Sequence, residues 1–267
     1  MKLIQSRDNP QFKELAKIAS SARHRAKTNR TLLDGAHLLA AYVDSGEQPQ
    51  QILLNAAAAL NEEVSSLVAR VPDVPVTRLG EKLMSELSEL RTPTGVLALI
   101  DFPRPTITIR DATFVLLLED IQDPGNLGSI LRSAAAAGCD AVFLSENCAD
   151  AWSPKVLRAA MGGHFALHIF EKQLLSEVID LFPGVLYATS LQSEVNLYDC
   201  NFDGHIGFLV GNEGAGLSSA LESLITRKLK IPMHGNIESL NVAAATAICL
   251  FEATRQMQQV KPRSPTL

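Results

Sequence analysis

Several things are scarce in this chain. Ten Phe, three Tyr and a single Trp make up only 5% of its 267 residues, too few and too scattered for a base-stacking platform. The four cysteines, Cys139, Cys148, Cys200 and Cys249, contain no C-x-x-C pair, which excludes a disulfide frame or a zinc ribbon and points to reduced thiols. Of the six histidines, His24, His37, His164, His168, His205 and His234, only His164 and His168 stand four apart, with no third histidine or cysteine near them in sequence, and no metal is expected. The longest apolar run, Val242 to Phe251, stops at ten residues and contains Thr246. A membrane span needs about 20. The opening MKLIQSRDNPQFK has no apolar core of a secretory signal. A cytoplasmic protein with no membrane partner is the expectation.

What is present begins with charge. The net charge is −5, yet residues 1–33 hold eight Lys and Arg against Asp8 and Glu14. The rest of the chain therefore carries 16 basic and 27 acidic side chains. A basic lobe on an acidic body steers anionic partners, although a solvated helix face would give the same composition. Arg23, Arg25, Lys27 and Arg30 are the densest part of that lobe and the candidate contacts for an anionic partner.

Two prolines in the segment DFPRPTITIRD favour extended backbone and set a linker at 101–111. Residues 1–100 then form a small α/β domain, with helices expected at 10–27, 36–45 and 60–69 and strands at 31–34, 51–54 and 95–100. Residues 112–260 form a larger domain, and 261–267 a frayed tail. In the larger domain strands are expected at 113–119, 140–145, 166–170, 185–190, 206–211 and 228–231. Continuous apolar stretches such as FVLLL and IGFLV suit strands buried on both faces of a parallel sheet. Helices at 126–138, 154–162, 172–182, 217–226 and 240–259 fill the gaps. Ligands of such sheets bind at the strand carboxyl ends.

Three loops of the larger domain carry polar residues where chemistry would be expected. The first, DPGNLGSILRSAAAAG (123–138), places Asn126 at a helix N-cap and Arg132 nearly opposite the apolar stripe of Leu127, Ile130, Leu131 and Ala134. The second, LVGNEGAGLS (209–218), brackets Glu213 with glycines 211, 214 and 216. It misses the dinucleotide fingerprint, because Glu213 occupies the second glycine position and would repel a pyrophosphate. A neutral or cationic ligand suits that carboxylate better, adenosylmethionine with its sulfonium and no phosphate being one example. The third, IPMHGNIESLNVAAA (231–245), leads into the last helix, with Ser239 as a possible cap. Leu240, Ala244, Ala247, Ile248 and Phe251 are its expected apolar stripe, and Ala243, Ala244 and Ala245 permit close approach of another backbone.

Together and in this order, the three loops resemble the motifs of the SpoU/TrmH family of RNA ribose 2′-O-methyltransferases. TLLDGAHLL (31–39) and LRTPTGVLALI (90–100) look like that family's ribosomal-protein-like substrate-binding domain, with Asp34-Gly35 where relatives often have Glu-Gly. The resemblance implies a knotted parallel-sheet α/β methyltransferase domain, a trefoil knot that general topology rules would not propose, and a homodimer. It further implies S-adenosylmethionine as cofactor, held by Thr189, Gly211, Ile231 and Leu240, and a catalytic set of Asn126, Arg132, Glu213, Ser239 and Asn241. The implied substrate is structured RNA, ribosomal RNA ahead of transfer RNA. A non-catalytic RNA-binding assembly factor and a nicotinamide-dependent oxidoreductase are the competing classes.

Overall fold

The computed structural model describes residues 2–90, 93–235 and 239–260, so the 261–267 tail and residues 236–238 of the third motif lie outside the described residues. The chain divides into two compact units, residues 1–104 with 150–165, and residues 105–149 with 166–267.

The first unit is built on a mixed five-stranded sheet. Its elements are β1 (Lys2–Ile4), α1 (Pro10–Ser20), α2 (Ala22–Thr28), β2 (Arg30–Asp34), α3 (Ala36–Asp44), β3 (Gln51–Leu54), α4 (Glu62–Ala69), β4 (Val76–Leu79), α5 (Glu81–Leu87) and β5 (Val96–Asp101). The sheet order is β1-β4-β3-β5-β2, with β5 antiparallel to both β2 and β3. Phe12, Leu15 and Ile18 of α1 pack with Leu53, Leu83 and Leu97 in one buried cluster. The single helix expected at 10–27 is two helices. Ser21 is extended (φ −123°, ψ 109°), ends α1 through its N–H to the Lys17 carbonyl, and caps α2 by accepting from the His24 N–H. The β1 strand has too short an apolar pattern to be found by alternation.

The second unit is an all-parallel six-stranded sheet. Its elements begin with β6 (Phe114–Leu118), α6 (Pro124–Ala137) and β7 (Ala141–Leu144). After an excursion that carries α7 (Pro154–Ala160), they continue with β8 (His168–Phe170), α8 (Leu175–Leu181), β9 (Val185–Thr189), β10 (Ile206–Val210), α9 (Ser219–Leu224), β11 (Arg227–Leu229) and α10 (Val242–Val260). The order is β11-β9-β10-β6-β7-β8. Every residue of β6 and β10 is buried, as the continuous apolar runs required. No helix among the described residues is long and apolar enough to cross a membrane.

Helix α10 corrects the expected stripe. Val242, Ala243, Cys249, Leu250 and Ala253 are buried, whereas Ala244 and Phe251 are exposed and Ala247 and Ile248 are half-buried. The helix starts after Leu240 and packs on α6, so its inward face is rotated from the one the sequence favoured. Burial beside α6 chose the small residues and left Phe251 outside.

The excursion at residues 150–165 joins the first unit through a buried ion pair. Arg25 of α2 donates to Asp150 Oδ2 from Nη2 at 2.6 Å and from Nε at 3.0 Å. Its Nη1 donates to the carbonyls of Ile18 and Ala19, at 2.7 and 3.0 Å, at the end of α1. Thr31 Oγ1 of β2 donates to the Trp152 carbonyl at 2.8 Å, and Trp152 stacks on Phe102 with centroids 4.7 Å apart. His164 is buried, donates from Nε2 to the Ala151 carbonyl, and is pushed by burial down to about 4, so it stays neutral near pH 7. Replacing one partner of a buried ion pair strands the other charge. Asp150→Ala is expected to destabilise the first unit by about 3 kcal/mol, measured by denaturant unfolding.

Candidate active site

Asn126, Glu213, Ser239 and Asn241, drawn from all three loops, meet at the carboxyl ends of β6 and β10, whereas Arg132 lies further along α6. Asp123, not Asn126, caps α6, accepting from the Asn126 N–H at 2.7 Å with Pro124 at the first helical position. Asn126 thus sits in the first turn, and its side chain is free to point away from the helix. Similarly, Asn241 rather than Ser239 caps α10. Its Oδ1 accepts from the N–H groups of Ala243 and Ala244, at 2.9 and 3.2 Å.

That cap fixes the rest. With Oδ1 occupied by two donors, Asn241 Nδ2 faces outward and donates to Asn126 Oδ1 at 2.8 Å. Asn126 Nδ2 then donates to Glu213 Oε1 at 3.0 Å. A carboxylate can only accept, so every amide in the chain Asn241 to Asn126 to Glu213 has one satisfactory orientation. One residue from each loop is present, linked across 115 and 87 positions of sequence.

Glu213 is held from its other side by the fold of its own loop. Asn212 Oδ1 accepts from the N–H groups of Gly214 and Ala215, at 2.9 and 3.0 Å, and its Nδ2 donates to the Asp120 carbonyl at 2.9 Å. The backbones of Asn212 and Gly216 exchange two hydrogen bonds, closing the loop on itself. Gly211 makes this closure possible. A Cβ there would lie 2.3 Å from the Gly216 carbonyl carbon and 2.5 Å from the Leu217 nitrogen, both backbone atoms. Sequence reading missed Asn212 and Asp120, although Asn212 lay within the second motif.

Beside this network opens a cavity of about 480 Å³, in the size range of small-molecule sites. Thr189, Gly211, Ile231 and Leu240, the four cofactor candidates, all line it, and so do Glu213 and Ser239. Val210, Leu229 and Met233 give it apolar wall. Apolar wall alternating with polar groups, among them the Glu213 carboxylate, suits a ligand that combines a flat ring with hydroxyls and positive charge, the character of S-adenosylmethionine. Among the described residues no group of three His, Cys, Asp or Glu side chains gathers to hold a metal.

Arg132 is not among the cavity-lining residues. It is exposed on α6 and makes no ion pair among the described residues. In the first unit, Arg23 and Lys27 are exposed and without ion pairs among the described residues, while Arg30 lies 3.4 Å from Asp101. The expectation for Arg25 is corrected. Its side chain is only 6% exposed and its donors are spent on Asp150 and two carbonyls, so it has nothing left for RNA.

Both units of the chain resemble known proteins. Residues 113–251 match the SpoU rRNA Methylase family, and residues 9–98 match the MRM3-like substrate binding domain. The chain is 34% identical over 253 residues to the 23S rRNA (guanosine(2553)-2′-O)-methyltransferase RlmP of Bacillus subtilis, covering 94% of this chain and 98% of that one. It superposes on the AdoMet-bound rRNA methyltransferase of Sinorhizobium meliloti with a TM-score of 0.82 and 28% identity, covering 96% and 98% of the two chains. The SpoU methyltransferase AviRb of Streptomyces viridochromogenes, also in complex with AdoMet, gives 0.81 and 27%, covering 94% and 100%.

The Gly211 geometry generates a direct test. Packing a methyl group against backbone costs typically about 1–3 kcal/mol. Gly211→Ala is therefore expected to weaken S-adenosylmethionine binding about tenfold or more, read by titration calorimetry.

Proposed function

The chain belongs to the SpoU rRNA Methylase family, and from that membership we propose that it transfers the methyl group of S-adenosylmethionine to a ribose 2′-hydroxyl of ribosomal RNA. The observation that carries the reading is the cavity whose rim holds Glu213, tied to Asn126 and Asn241. Ribosomal RNA is preferred to transfer RNA because the match to RlmP runs nearly end to end and takes in the substrate-binding unit. A non-catalytic assembly role has no observation in its favour, since each of the three motif loops keeps its polar residues.

The cofactor supplies an activated methyl group on a cationic sulfonium. The chain's part is to bind and orient the reactants, and the hydroxyl proton is proposed to pass to a phosphate oxygen of the bound RNA as the carbon–oxygen bond forms and the carbon–sulfur bond breaks, leaving S-adenosylhomocysteine. Thr189, Gly211, Ile231 and Leu240 are proposed to hold the cofactor, supported by their sharing one cavity. Glu213 adds negative charge at the edge of that cavity and so favours a cationic ligand. Asn126 and Asn241 keep its carboxylate from rotating away. Ser239, exposed at the cavity, offers a hydroxyl to orient the attacking ribose. Arg132 is a poor base, because a guanidinium holds its proton too firmly to accept another. We assign it to clamp the phosphate beside the target ribose, where its planar fork makes paired hydrogen bonds.

Two further features belong to this reading. A trefoil knot is proposed for the second unit, supported by the return of the chain from β11 at the sheet edge to α10 against α6 and β10. An experimentally traced backbone that pulls straight from both ends would remove it. A homodimer is proposed through the outward face of α10, where Ala244 is exposed and Phe251 is 48% exposed. Phe251→Asp is expected to sediment as a monomer where the parent chain sediments as a dimer. Four free thiols suit the reducing cytoplasm proposed as its compartment.

The reaction is tested by transferring a labelled methyl group from S-adenosylmethionine to total RNA of cells lacking the gene, followed by alkaline digestion. Label is expected in alkali-resistant dinucleotides from ribosomal RNA, because 2′-O-methylation blocks cleavage there. Label in mononucleotides would move the methyl to a base and overturn the assignment. Arg132→Lys is expected to retain part of the activity, and its complete loss with RNA binding intact would exclude the clamp.

A further inference from the structure

The 150–165 segment brings more to the first unit than the Asp150 anchor. From Ala151 to Phe165 it contains Lys155 and Arg158 and no acidic residue. Both are exposed, on the face of α7 opposite the buried Val156, Leu157 and Ala160. On α2 the same division holds. Arg23 and Lys27, four positions apart, share the exposed face, while Arg25 turns inward to Asp150. From Lys17 to Leu33 there is again no acidic residue.

Both helices, α2 and α7, stand beside β2, the edge strand of the sheet. The Arg25–Asp150 pair joins α2 to the start of the segment, and Thr31 holds the Trp152 carbonyl two residues before α7. Arg23 and Lys27 lie where the chain enters β2. Arg158 lies near its exit at Asp34, whose carboxyl burial raises while the Ser88 hydroxyl and the Arg158 charge pull against that rise. Among the described residues none of these four cations has a carboxylate within 4 Å.

The five residues of β2, beside which both helices pack, span about 16 Å at about 3.3 Å per residue. A single small anion cannot span that distance, but a polyanionic backbone can. We infer that Lys155 and Arg158 of α7, together with Arg23 and Lys27 of α2, form one surface for the phosphate backbone of the RNA substrate. The inference rests on the methyltransferase reading for the identity of that RNA. The buried Arg25–Asp150 pair acts as the joint that holds the two helices in register, which is why the most deeply placed arginine of the basic lobe does not touch RNA.

The test uses the full chain, unmodified 23S rRNA from cells lacking the gene, and the double variant Lys155→Glu/Arg158→Glu. A control, Lys82→Glu/Lys172→Glu, carries the same change in net charge at exposed positions elsewhere. Removing two phosphate contacts is expected to lower the slope of log K against log salt by about 1.4 and to raise KM for RNA about tenfold. S-adenosylmethionine affinity and kcat at saturating RNA should stay within about twofold of the parent chain, a split that misfolding would not produce. A parental slope and KM in the double variant would overturn the inference, as would an equal loss in the control. Unchanged binding to naked rRNA with weakened binding to assembled ribosomal subunits would move the partner to protein and also overturn it. Should the parent chain bind rRNA but methylate none, the methyltransferase reading falls, while the salt slope still decides the surface.

Discussion

A capping hydrogen bond sets the chemistry of this protein. The helix α10 must satisfy its first N–H groups, and Asn241 Oδ1 does so. With that oxygen committed, the amide nitrogen of Asn241 donates to Asn126, and Asn126 donates onward to Glu213, along the solvent-exposed edge of the site. Three loops that have no reason to meet in sequence are thereby joined through side chains of forced orientation. The Glu213 carboxylate at the end of the chain stands at the edge of the cavity, with its contact to Asn126 already made.

The backbone supports this from beneath. Parallel strands β6 and β10 pair residue for residue, which delivers the first two loops to the same edge of the sheet. Gly211 lets the second loop fold back into contact with its own Gly216, and Asn212 then ties that loop to Asp120 at the end of β6. Asp120 itself has a positive φ of 55° and is held by Ser145 from the neighbouring strand's loop. A carboxylate in an otherwise glycine-rich turn is a poor host for phosphate and a good one for a sulfonium.

In the first unit charge is divided by burial. Arg25 and its helix neighbours look alike on paper, yet one guanidinium spends its donors on Asp150 and two carbonyls while Arg23 and Lys27 remain in solvent. The buried pair serves registry more than affinity, since ion pairs taken out of water gain little net stability and hold geometry instead. What it registers is a pair of short basic helices drawn from distant parts of the chain.

Much of this was legible in the sequence. The strand and helix alternation, the buried runs FVLLL and IGFLV, and the three polar loops follow from local periodicity, propensity and turn chemistry, forces that act within a few residues of where they are written. The four cofactor candidates fell in one cavity for the same reason, because strand ends and their loops are local features. Other outcomes were decided only by packing. Asn126 and Ser239 were read as caps, and Asp123 and Asn241 do the capping. The inward face of α10 was set by α6, and Phe251 was left outside. The 150–165 segment folds with the first unit because Asp150 meets an arginine 125 positions away. Local rules specify which elements form; which of several equivalent cations is buried, and which face of a helix turns inward, depends on partners that only the folded chain brings within reach.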